Sequence, residues 1–292
     1  MKIARFTHQG RTRLGVVLGE ELADVGSASP ELPTDVGELL AGAGLAALAP
    51  LVDGAARIPL AEVTLEAPVA RPPEFLAIGL NYALHIAESG REAPKVPVVF
   101  NKQATCVNRH GGDIHIPAPA PDMIDYEGEL GVVIGRTAKR VKAADAMDYV
   151  AGYLIVNDVS VRDWQRASAT MTMGKSWDTH GPIGPWLTTA DEVGDPQALS
   201  IKTWVSGDLR QDGNTANMIF PVAALIEYLS TACTLLPGTV IATGTPEGVG
   251  MAMKPPGFIH AGDTVRIEIT GLGTLENPVV ADRWPDPSTA TT

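Results

Sequence analysis

The sequence has little positive charge and few cysteines. Its 22 Lys and Arg residues are outnumbered by 34 Asp and Glu residues, which gives a net charge of -12. No run of basic residues could follow a phosphate backbone, so we expect no nucleic-acid partner. Cys106 and Cys233 lie far apart and form neither a disulfide framework nor a CxxC site. This cysteine usage predicts a reduced, cytoplasmic protein.

Long hydrophobic runs are also lacking. The first residues, MKIARFTHQG, contain no apolar segment typical of a signal peptide. The longest apolar run, LLAGAGLAALAPLV, is too short and too interrupted by Gly and Pro to span a bilayer, so we expect no membrane partner. The sequence has no GxxxxGK[ST] P-loop, no helix-opening GxGxxG and no GxSxG elbow. It therefore gives no support for a P-loop protein or a serine hydrolase.

Segments with the pattern of strands outnumber those with the pattern of helices. Residues 1–26 alternate between apolar and polar residues, and apolar stretches such as EFLAIGL, YLIVNDVS and TVIATG follow later in the chain. Helical spacing is found over residues 35–53, 81–90, 143–150 and 220–232. Because strands and helices do not alternate regularly, the sequence predicts an α+β, mainly β fold.

A proline-rich joint, VARPPE, is the best candidate for a domain boundary. It predicts a small N-terminal domain over residues 1–70 and a larger domain over residues 71–292. The last residues, DPSTATT, are of low complexity and are expected to be disordered.

Three carboxylates occupy alternate positions in the stretch DMIDYEGELGVVIG. Asp125, Glu127 and Glu129 would share one face of a strand, where like charges repel each other. A solvated strand edge is one interpretation. However, the apolar LGVVI that follows indicates that this strand enters the core. Asp158 also ends an apolar run, YLIVND, and a charge in such a place is costly unless it is paired or binds a metal.

Glu127, Glu129 and Asp158 together would make an anionic site composed only of oxygen donors. Such a site suits a hard cation, Mg²⁺, Mn²⁺ or Ca²⁺. Zinc is disfavoured because no His or Cys lies nearby at ligand spacing. Asp125 is the doubtful member of the group and is expected to be a supporting or structural charge.

Further candidates for chemistry lie outside the acidic stretch. His85 and Glu88 are three residues apart, so on a helix they share a face and could form a general-base pair, although a surface histidine has the same pattern. Lys175, in GKSWDTHG, could face a substrate carboxylate or could be an ordinary exposed lysine. Thr245, in the Gly/Thr-rich loop after TVIATG, could help to bind an anion or could mark a plain turn.

Six segments in order give the chain a specific resemblance. They are GLNYALH, DYEGEL, NDVSVRDWQ, GKSWDTHGPIGP, TGTPEGVG and GDTVRIEITGLGTLENPV. Over about residues 73–280 the chain resembles the fumarylacetoacetate hydrolase family, in its short acylpyruvase-like and 2-hydroxyhepta-2,4-diene-1,7-dioate isomerase-like branch. The resemblance implies a mixed β-sandwich roll with a small N-terminal domain, and a homodimer.

The resemblance also implies roles for individual residues. It assigns Glu127, Glu129 and Asp158 as ligands of Mg²⁺ or Mn²⁺. It assigns His85 and Glu88 as a catalytic pair, together with Lys175. It assigns Tyr82, Gln165 and Thr245 as substrate contacts. Asn81 stands where large animal-type members have a fourth carboxylate ligand. We therefore expect three protein carboxylates at the metal.

The implied reaction is hydrolysis of the C3–C4 bond of a 2,4-dioxo acid of the acylpyruvate or fumarylpyruvate type, in aromatic or sugar-acid catabolism. The cation would stabilise the pyruvate enolate that is left, and residues 86–96 would order over the substrate as a lid. A decarboxylase of oxaloacetate or a related oxo acid, and an isomerase or hydratase of an unsaturated oxo-dicarboxylate, could use the same site. A non-catalytic protein stabilised by an ion is the third alternative.

Overall fold

The computed structural model describes residues 1–282, so the tail DPSTATT and its expected disorder lie outside the described residues. The strands, in chain order, are β1 (Lys2–His8), β2 (Arg11–Leu18), β3 (Glu21–Ala23), β4 (Arg57–Pro59), β5 (Thr64–Glu66), β6 (Phe75–Gly79), β7 (Val98–Lys102), β8 (Val107–Asn108), β9 (Ile114–Ile116), β10 (Ile124–Asp125), β11 (Gly128–Ile134), β12 (Val150–Asn157), β13 (Ser160–Val161), β14 (Gly181–Thr189), β15 (Ser200–Val205), β16 (Asp208–Asn214), β17 (Val240–Ala242), β18 (Thr264–Ile269) and β19 (Gly273–Ala281).

The α-helices of the described residues are short. They are α1 (Val25–Ala28), α2 (Val36–Ala41), α3 (Ala83–Ser89), α4 (Arg162–Ala167), α5 (Thr172–Lys175), α6 (Ala190–Val193) and α7 (Val222–Ala232). None of the helices within residues 1–282 is long and apolar enough to cross a membrane.

Most of the strands belong to one large sheet with the order β4-β3-β2-β1-β14-β12-β11-β17-β6-β7, to which β5 and β8 are added at β1 and β14. A second sheet has the order β16-β15-β18-β19-β9, and β10 pairs with β13 alone. The pairs β17–β6, β8–β14 and β9–β19 are parallel, and the other pairs are antiparallel. The mainly β, mixed architecture agrees with the sequence-based prediction.

The central strand β11 is buried on both of its faces, which explains its uninterrupted apolar run. Leu130 and Val132 pack in one core cluster with Ile267 of β18 and Leu225 of α7, between the large sheet and the second sheet. Val133 points the other way, into a second core cluster. The first cluster joins the two sheets like the layers of a sandwich, and the second packs α1 and α2 against the other face of the large sheet.

The N-terminal strands share a sheet and a core with the rest of the chain. Strand β1 pairs with β14, with Ile3 opposite Leu187. Leu14 and Val36 belong to the same core cluster as Val133 of the central strand. The division of the chain near residue 70 stays a prediction, because strands from both sides of it continue one sheet.

Two local predictions need correction. The helix predicted over residues 35–53 begins as expected, with the Asp35 carboxylate accepting from the amide of Gly37 at 2.7 Å, but it ends at Ala41. Gly42 caps its end, Gly44 follows with a φ of +74°, and only short 3₁₀ turns come after it. Strand β16 was not predicted, because its sequence DLRQDGN has no apolar alternation and lies at the edge of its sheet.

Four strand ends meet at one edge of the large sheet. Because β6 and β17 are parallel, Gly79 and Ala242 end their strands side by side. Strand β11 runs antiparallel to β17 and starts at the same edge with Gly128. Strand β12 ends there with Asn157, directly opposite Gly128. The residues that follow or precede these ends are therefore brought together.

Gly152 lies where β12 packs closely against β14, so a larger residue there tests the packing. A Cβ at this position would lie 2.2 Å from the carbonyl oxygen of Thr188. We expect Gly152→Ala to lower the free energy of unfolding by about 2 kcal/mol or more, because the backbone of β14 would have to move. Urea denaturation measures this. Gly54→Ala is the control, since nothing lies within 4 Å of its added Cβ, and an equal loss in both variants would contradict the packing argument.

Candidate metal centre and active site

Glu127, Glu129 and Asp158, called here the acidic trio, converge at this edge of the sheet. All three side chains are buried, and one carboxylate oxygen from each lies within 4.8 Å of the others. Backbone contacts fix their positions: the amide of Asp158 donates to the carbonyl of Glu127 at 2.9 Å, and the Asn157 side chain accepts from the amide of Glu127 at 3.2 Å. The grouping predicted from the sequence is thus present in the fold.

Asp125 does not share the face of the other two carboxylates, because the alternation of a single strand does not hold. Strand β10 ends at Asp125 and β11 begins only at Gly128, so the intervening backbone turns the carboxylate away. Its oxygens accept from Arg162 Nε at 2.9 Å and from the amides of Gly250 and Met251 at 2.8 and 3.0 Å. Asp125 is therefore a fully buried partner of an arginine.

Three buried cations, Lys102, Arg162 and Lys175, surround the trio. Lys175 Nζ lies 2.6 Å from Glu127 Oε2 and 2.7 Å from Asp158 Oδ2, so the lysine is no exposed surface residue. Arg162 NH1 lies 2.6 Å from Glu127 Oε1, and Lys102 Nζ lies 2.7 Å from Asp158 Oδ1. Buried charges of both signs are hydrogen-bonded to each other, and their attraction offsets the free-energy cost of removing them from water.

The pairing is uneven within the trio. Burial alone would raise the pKa of Glu127, but Lys175 and Arg162 outweigh it and hold that pKa well below its usual value. Burial, reinforced by the negative charges of Asp158 and Glu127, raises the pKa of Glu129 well above its usual value. The hydrogen bond that Glu129 accepts comes from the amide of Gly244 at 2.8 Å. Glu129 is thus the carboxylate with the least compensation.

This charge pattern fits a divalent cation. Asp125 and the trio make four buried carboxylates, against three buried cations, so one negative charge is in excess when all are ionised. Carboxylate oxygens that share a Ca²⁺ or Mg²⁺ ion at 2.0–2.6 Å lie at most about 5 Å apart, as those of the trio do. The donor set is all oxygen, which favours Mg²⁺, Mn²⁺ or Ca²⁺ over zinc.

A histidine–carboxylate pair lies beside the trio. His85 is in α3, which begins just after β6, and only 8% of the residue is exposed. Its Nδ1 lies 2.7 Å from Glu88 Oε1, and Glu88 Oε2 accepts from the amide of Gly248 at 2.9 Å. A proton on Nδ1 in this bond leaves Nε2 as an acceptor. The alternative of an incidental surface histidine is therefore excluded.

Asn81 is occupied by structural hydrogen bonds. Its Nδ2 donates to the carbonyls of Thr243 and Phe220 at 2.7 and 3.1 Å, and its Oδ1 accepts from the amide of Phe220 at 2.8 Å. Asn81 thus joins the end of β6 to the end of β17. Gly244 follows with a φ of +101°, and a Cβ there would lie 2.7 Å from that of Asn81. Glycine is required for its amide to reach Glu129.

A cavity of about 540 Å³ opens over the trio. Its polar lining consists of His85, Glu127, Glu129, Arg162, Gln165, Lys175 and Thr245, with Ser89, Arg91, Arg166 and Ser168. Gln165 is oriented by Arg162 NH1, which donates to its Oε1 at 3.0 Å. Thr245 donates to the carbonyl of Gly128 at 3.0 Å and accepts from Gln211 at 2.7 Å. His85 of the pair and Glu127 and Glu129 of the trio therefore face one space.

Tyr82 is the exception among the site residues inferred from the sequence. It is 1% exposed, packs in the core with Met218, and does not line the cavity. Burial raises the pKa of its hydroxyl group, which has no hydrogen-bond partner within the described residues. The structure therefore does not place Tyr82 on the cavity wall, because its side chain packs into the core where α3 begins.

The sequence reasoning missed two of the three cations that surround the trio. Lys102 ends the apolar strand β7, and Arg162 begins α4 after the buried strand β13. The signal was present, since a charge in an apolar context must be paired when it is buried. That rule identified Asp158 and applies equally to Lys102 and Arg162. Gln211 carried no comparable signal, because it lies in the polar strand β16.

Two family models match the chain. One, described as Fumarylacetoacetate (FAA) hydrolase C-terminal, matches residues 74–280, and the other, described as Rv2993c-like, N-terminal, matches residues 1–68. The chain belongs to the fumarylacetoacetate hydrolase family. A Burkholderia ambifaria protein provisionally described as a hydrolase is 46% identical over 276 residues, which are 94% of this chain and 96% of that protein.

Solved structures of the fumarylacetoacetate hydrolase family superpose on the whole fold. Maleylpyruvate hydrolase from Sphingobium sp. SYK-6, in complex with manganese(II) and pyruvate, has a TM-score of 0.82 at 34% identity. Fumarylacetoacetate hydrolase from Exiguobacterium antarcticum has a TM-score of 0.87 at 35% identity. 2-Hydroxyhepta-2,4-diene-1,7-dioate isomerase from Mycobacterium marinum has a TM-score of 0.77 at 34% identity. Each comparison covers 97% of this chain and 100% of the other. The predicted family and fold class are confirmed.

Asp125 offers a test of the buried ion cluster. Asp125→Asn would leave Arg162 with one carboxylate partner in place of two, so we expect the free energy of unfolding to fall by about 3 kcal/mol. Asp122→Asn is the control, because Asp122 is exposed three residues earlier and its change should stay within about 0.5 kcal/mol. Chemical denaturation of both variants checks the difference, and equal stabilities would refute the structural role of Asp125.

Proposed function

We propose that this member of the fumarylacetoacetate hydrolase family is a divalent-metal-dependent hydrolase that cleaves a C–C bond in 2,4-dioxo acids of the acylpyruvate or fumarylpyruvate type. The observation that carries the proposal is the buried acidic trio, two members of which, Glu127 and Glu129, line the same cavity as His85 of the His85–Glu88 pair. A related hydrolase of similar fold holds manganese and pyruvate, which supports the same class of chemistry.

Glu127, Glu129 and Asp158 would hold the cation, Mg²⁺ or Mn²⁺ by preference. When bound, the cation supplies a Lewis acid for the carboxylate and 2-oxo oxygens of the substrate. Lys175, which contacts Glu127 and Asp158 and lines the cavity, would offset negative charge on the substrate. Gln165 and Thr245, both on the cavity wall, would contact the substrate.

The His85–Glu88 pair provides the proton transfer. Glu88 is held by the amide of Gly248 and in turn orients the imidazole through Nδ1. The Nε2 atom of His85 would take a proton from the water that attacks C4 of the dioxo acid. The leaving carbon at C3 then receives a proton, which completes hydrolysis to pyruvate and a carboxylic acid. A protein that only stores an ion has no need of this pair, so the geometry favours an enzyme.

An isomerase is the second candidate. The Mycobacterium marinum neighbour is a 2-hydroxyhepta-2,4-diene-1,7-dioate isomerase with the same fold over the whole chain. Isomerisation would need the same cation and a proton carrier but no attacking water. Product identification by NMR on both substrate types separates the candidates: pyruvate release supports the hydrolase, and a shifted double bond without pyruvate supports the isomerase.

The predicted homodimer and the cytoplasmic location stay predictions.

Removing one member of the trio should abolish metal-dependent turnover. We expect Glu129→Gln to lower kcat/KM for pyruvate release by at least about 100-fold and to weaken Mn²⁺ binding measured by calorimetry, since even residues that only support metal ligands contribute 10–100-fold. EDTA should stop the wild-type enzyme, and added Mn²⁺ should restore it. Glu62→Gln, at an exposed glutamate, is the control. Full wild-type activity in the chelator would sink the metal-dependent mechanism.

Changing the histidine should separate proton transfer from metal binding. We expect His85→Gln to lower kcat by about 10²–10⁴-fold, the range of general acid–base catalysis, while the affinity for Mn²⁺ stays near that of the wild type. Steady-state kinetics and calorimetry measure the two effects. If His85→Gln turned over acylpyruvates at the wild-type rate, the assignment of the general base would be wrong.

A further inference from the structure

We propose that Gln211 is a positioning residue for the proposed reaction. Its side chain holds residues 243–251, called here the glycine loop, in the place from which this loop orients both the acidic trio and the histidine–carboxylate pair. The inference rests on the proposed function, because it takes Glu129 as a ligand of the cation and Glu88 as the partner of the general base. Gln211 does not line the cavity and acts through another part of the chain.

The glycine loop gives backbone hydrogen bonds to carboxylates of both groups. The amide of Gly244 donates to Glu129 at 2.8 Å, and the amide of Gly248 donates to Glu88 at 2.9 Å. Two further amides of the loop donate to Asp125. Hydrogen bonds to a carboxylate are strong and directional. The position of this one loop therefore determines where Glu129 and Glu88 lie relative to each other.

The side-chain amide of Gln211 joins the glycine loop to the start of β11. Its Oε1 accepts from the amide of Gly128 at 3.0 Å. Its Nε2 donates to the carbonyl of Pro246 at 2.9 Å and to the hydroxyl oxygen of Thr245 at 2.7 Å. Because Gly128 directly precedes Glu129 in β11, one side chain connects the loop to the strand that carries this member of the trio.

The backbone partners fix the orientation of this amide. A backbone N–H can only donate and a carbonyl can only accept, so Gly128 requires Oε1 and Pro246 requires Nε2. The other hydrogen of Nε2 then points to Thr245, which accepts it and donates its own proton to the carbonyl of Gly128 at 3.0 Å. Gln211 thus holds the hydroxyl group of Thr245, a residue of the cavity wall, in one orientation.

Close packing keeps β16 against the glycine loop. Gln211 is 1% exposed, although β16 is at the edge of its sheet. A Cβ on Gly248 would lie 2.0 Å from the carbonyl oxygen of Arg210, and one on Gly213 would lie 2.5 Å from the Cβ of Pro246. A polar group buried in such a contact must keep its partners, because an unmade hydrogen bond there is costly.

Gln197 provides a matched control elsewhere in the chain. Its side-chain amide also bridges two backbone groups, since Oε1 accepts from the amide of Val222 at 2.9 Å and Nε2 donates to the carbonyl of Thr215 at 2.9 Å. Neither partner belongs to the glycine loop or lines the cavity. A change at Gln197 therefore removes the same kind of contact without moving the site.

Gln211→Met keeps the length of the side chain and removes its hydrogen bonds. With Mn²⁺ and 2,4-dioxopentanoate, we expect kcat/KM for pyruvate release to fall at least about tenfold, through kcat more than through KM, and the affinity for Mn²⁺ in calorimetry to fall about tenfold. Gln197→Met should leave both quantities within about twofold of the wild type. Urea denaturation of both variants shows that they are folded. If Gln211→Met does not fold, Gln211→Glu, which keeps an acceptor for the Gly128 amide, replaces it with the same expectations.

A double-mutant cycle with Glu88→Gln separates positioning from mere support of the fold. If the glycine loop transmits the effect of Gln211 to Glu88, a variant that has already lost this carboxylate has less to lose. We expect the loss of kcat caused by Gln211→Met to be at least about threefold smaller in Glu88→Gln than in the wild type. The loss of Mn²⁺ affinity should be the same in both, because it acts through Gly244 and Glu129.

The outcomes separate this inference from the proposed function. Equal effects of Gln211→Met and Gln197→Met, or the same loss of kcat in the wild type and in Glu88→Gln, would overturn the role of Gln211 and leave the hydrolase intact. If the wild-type enzyme released no pyruvate, the hydrolase would fail, and Mn²⁺ binding would decide this inference. Weaker binding in Gln211→Met but not in Gln197→Met would support it, and unchanged binding would overturn it.

Discussion

Glu127 divides its two carboxylate oxygens between Lys175 and Arg162, at 2.6 Å each, and the rest of the site depends on this contact. Both cations reach a second carboxylate, Asp158 and Asp125 respectively. The result is a continuous buried chain of alternating charges. Loss of any one member leaves an uncompensated charge in a medium that solvates it poorly, so the members hold each other in place.

The same chain of charges explains why the site is ready for a cation. When Glu129 is ionised, the carboxylates of this cluster outnumber its cations by one, and Glu129 itself accepts a hydrogen bond from the Gly244 amide. Binding a divalent ion next to Glu129 removes the repulsion among three carboxylates. The fold thus holds buried carboxylates whose excess negative charge a bound cation would neutralise.

Four strand ends make this arrangement possible. Because β6 and β17 are parallel and β11 and β12 are antiparallel to their neighbours, the residues beyond Gly79, Ala242 and Asn157 and before Gly128 meet at one edge of the sheet. Asn81 then fastens two of these ends together through its side-chain amide. The His85–Glu88 pair in α3 is placed next to the trio by this junction.

Much of the site could be read from charges in unfavourable places. Asp158 at the end of an apolar strand, and Glu127 and Glu129 before another, could not remain buried without a partner. His85 and Glu88 could be paired from helical spacing alone. Those inferences are local, because they rest on the period of a strand or helix, and the structure bears out the proximity of each group.

Other features depended on contacts between residues far apart in the chain. Asp125 follows the same alternation as Glu127 and Glu129, yet a break between β10 and β11 sends it to Arg162 instead. Tyr82 lies in the same segment as His85, but its ring packs into the core. The helix predicted over residues 35–53 stopped early at glycines whose conformation the spacing of apolar residues does not reveal.

By itself, the sequence determined which residue types carry the chemistry, the mainly β class and the family. Only the tertiary structure decided how the charges are divided: which cation pairs with which carboxylate, and that Glu129 accepts its hydrogen bond from a backbone amide. The physical reason is that pattern and spacing act within one strand or helix, whereas the energy of a buried charge depends on every group within a few ångströms of it, whatever its distance along the chain.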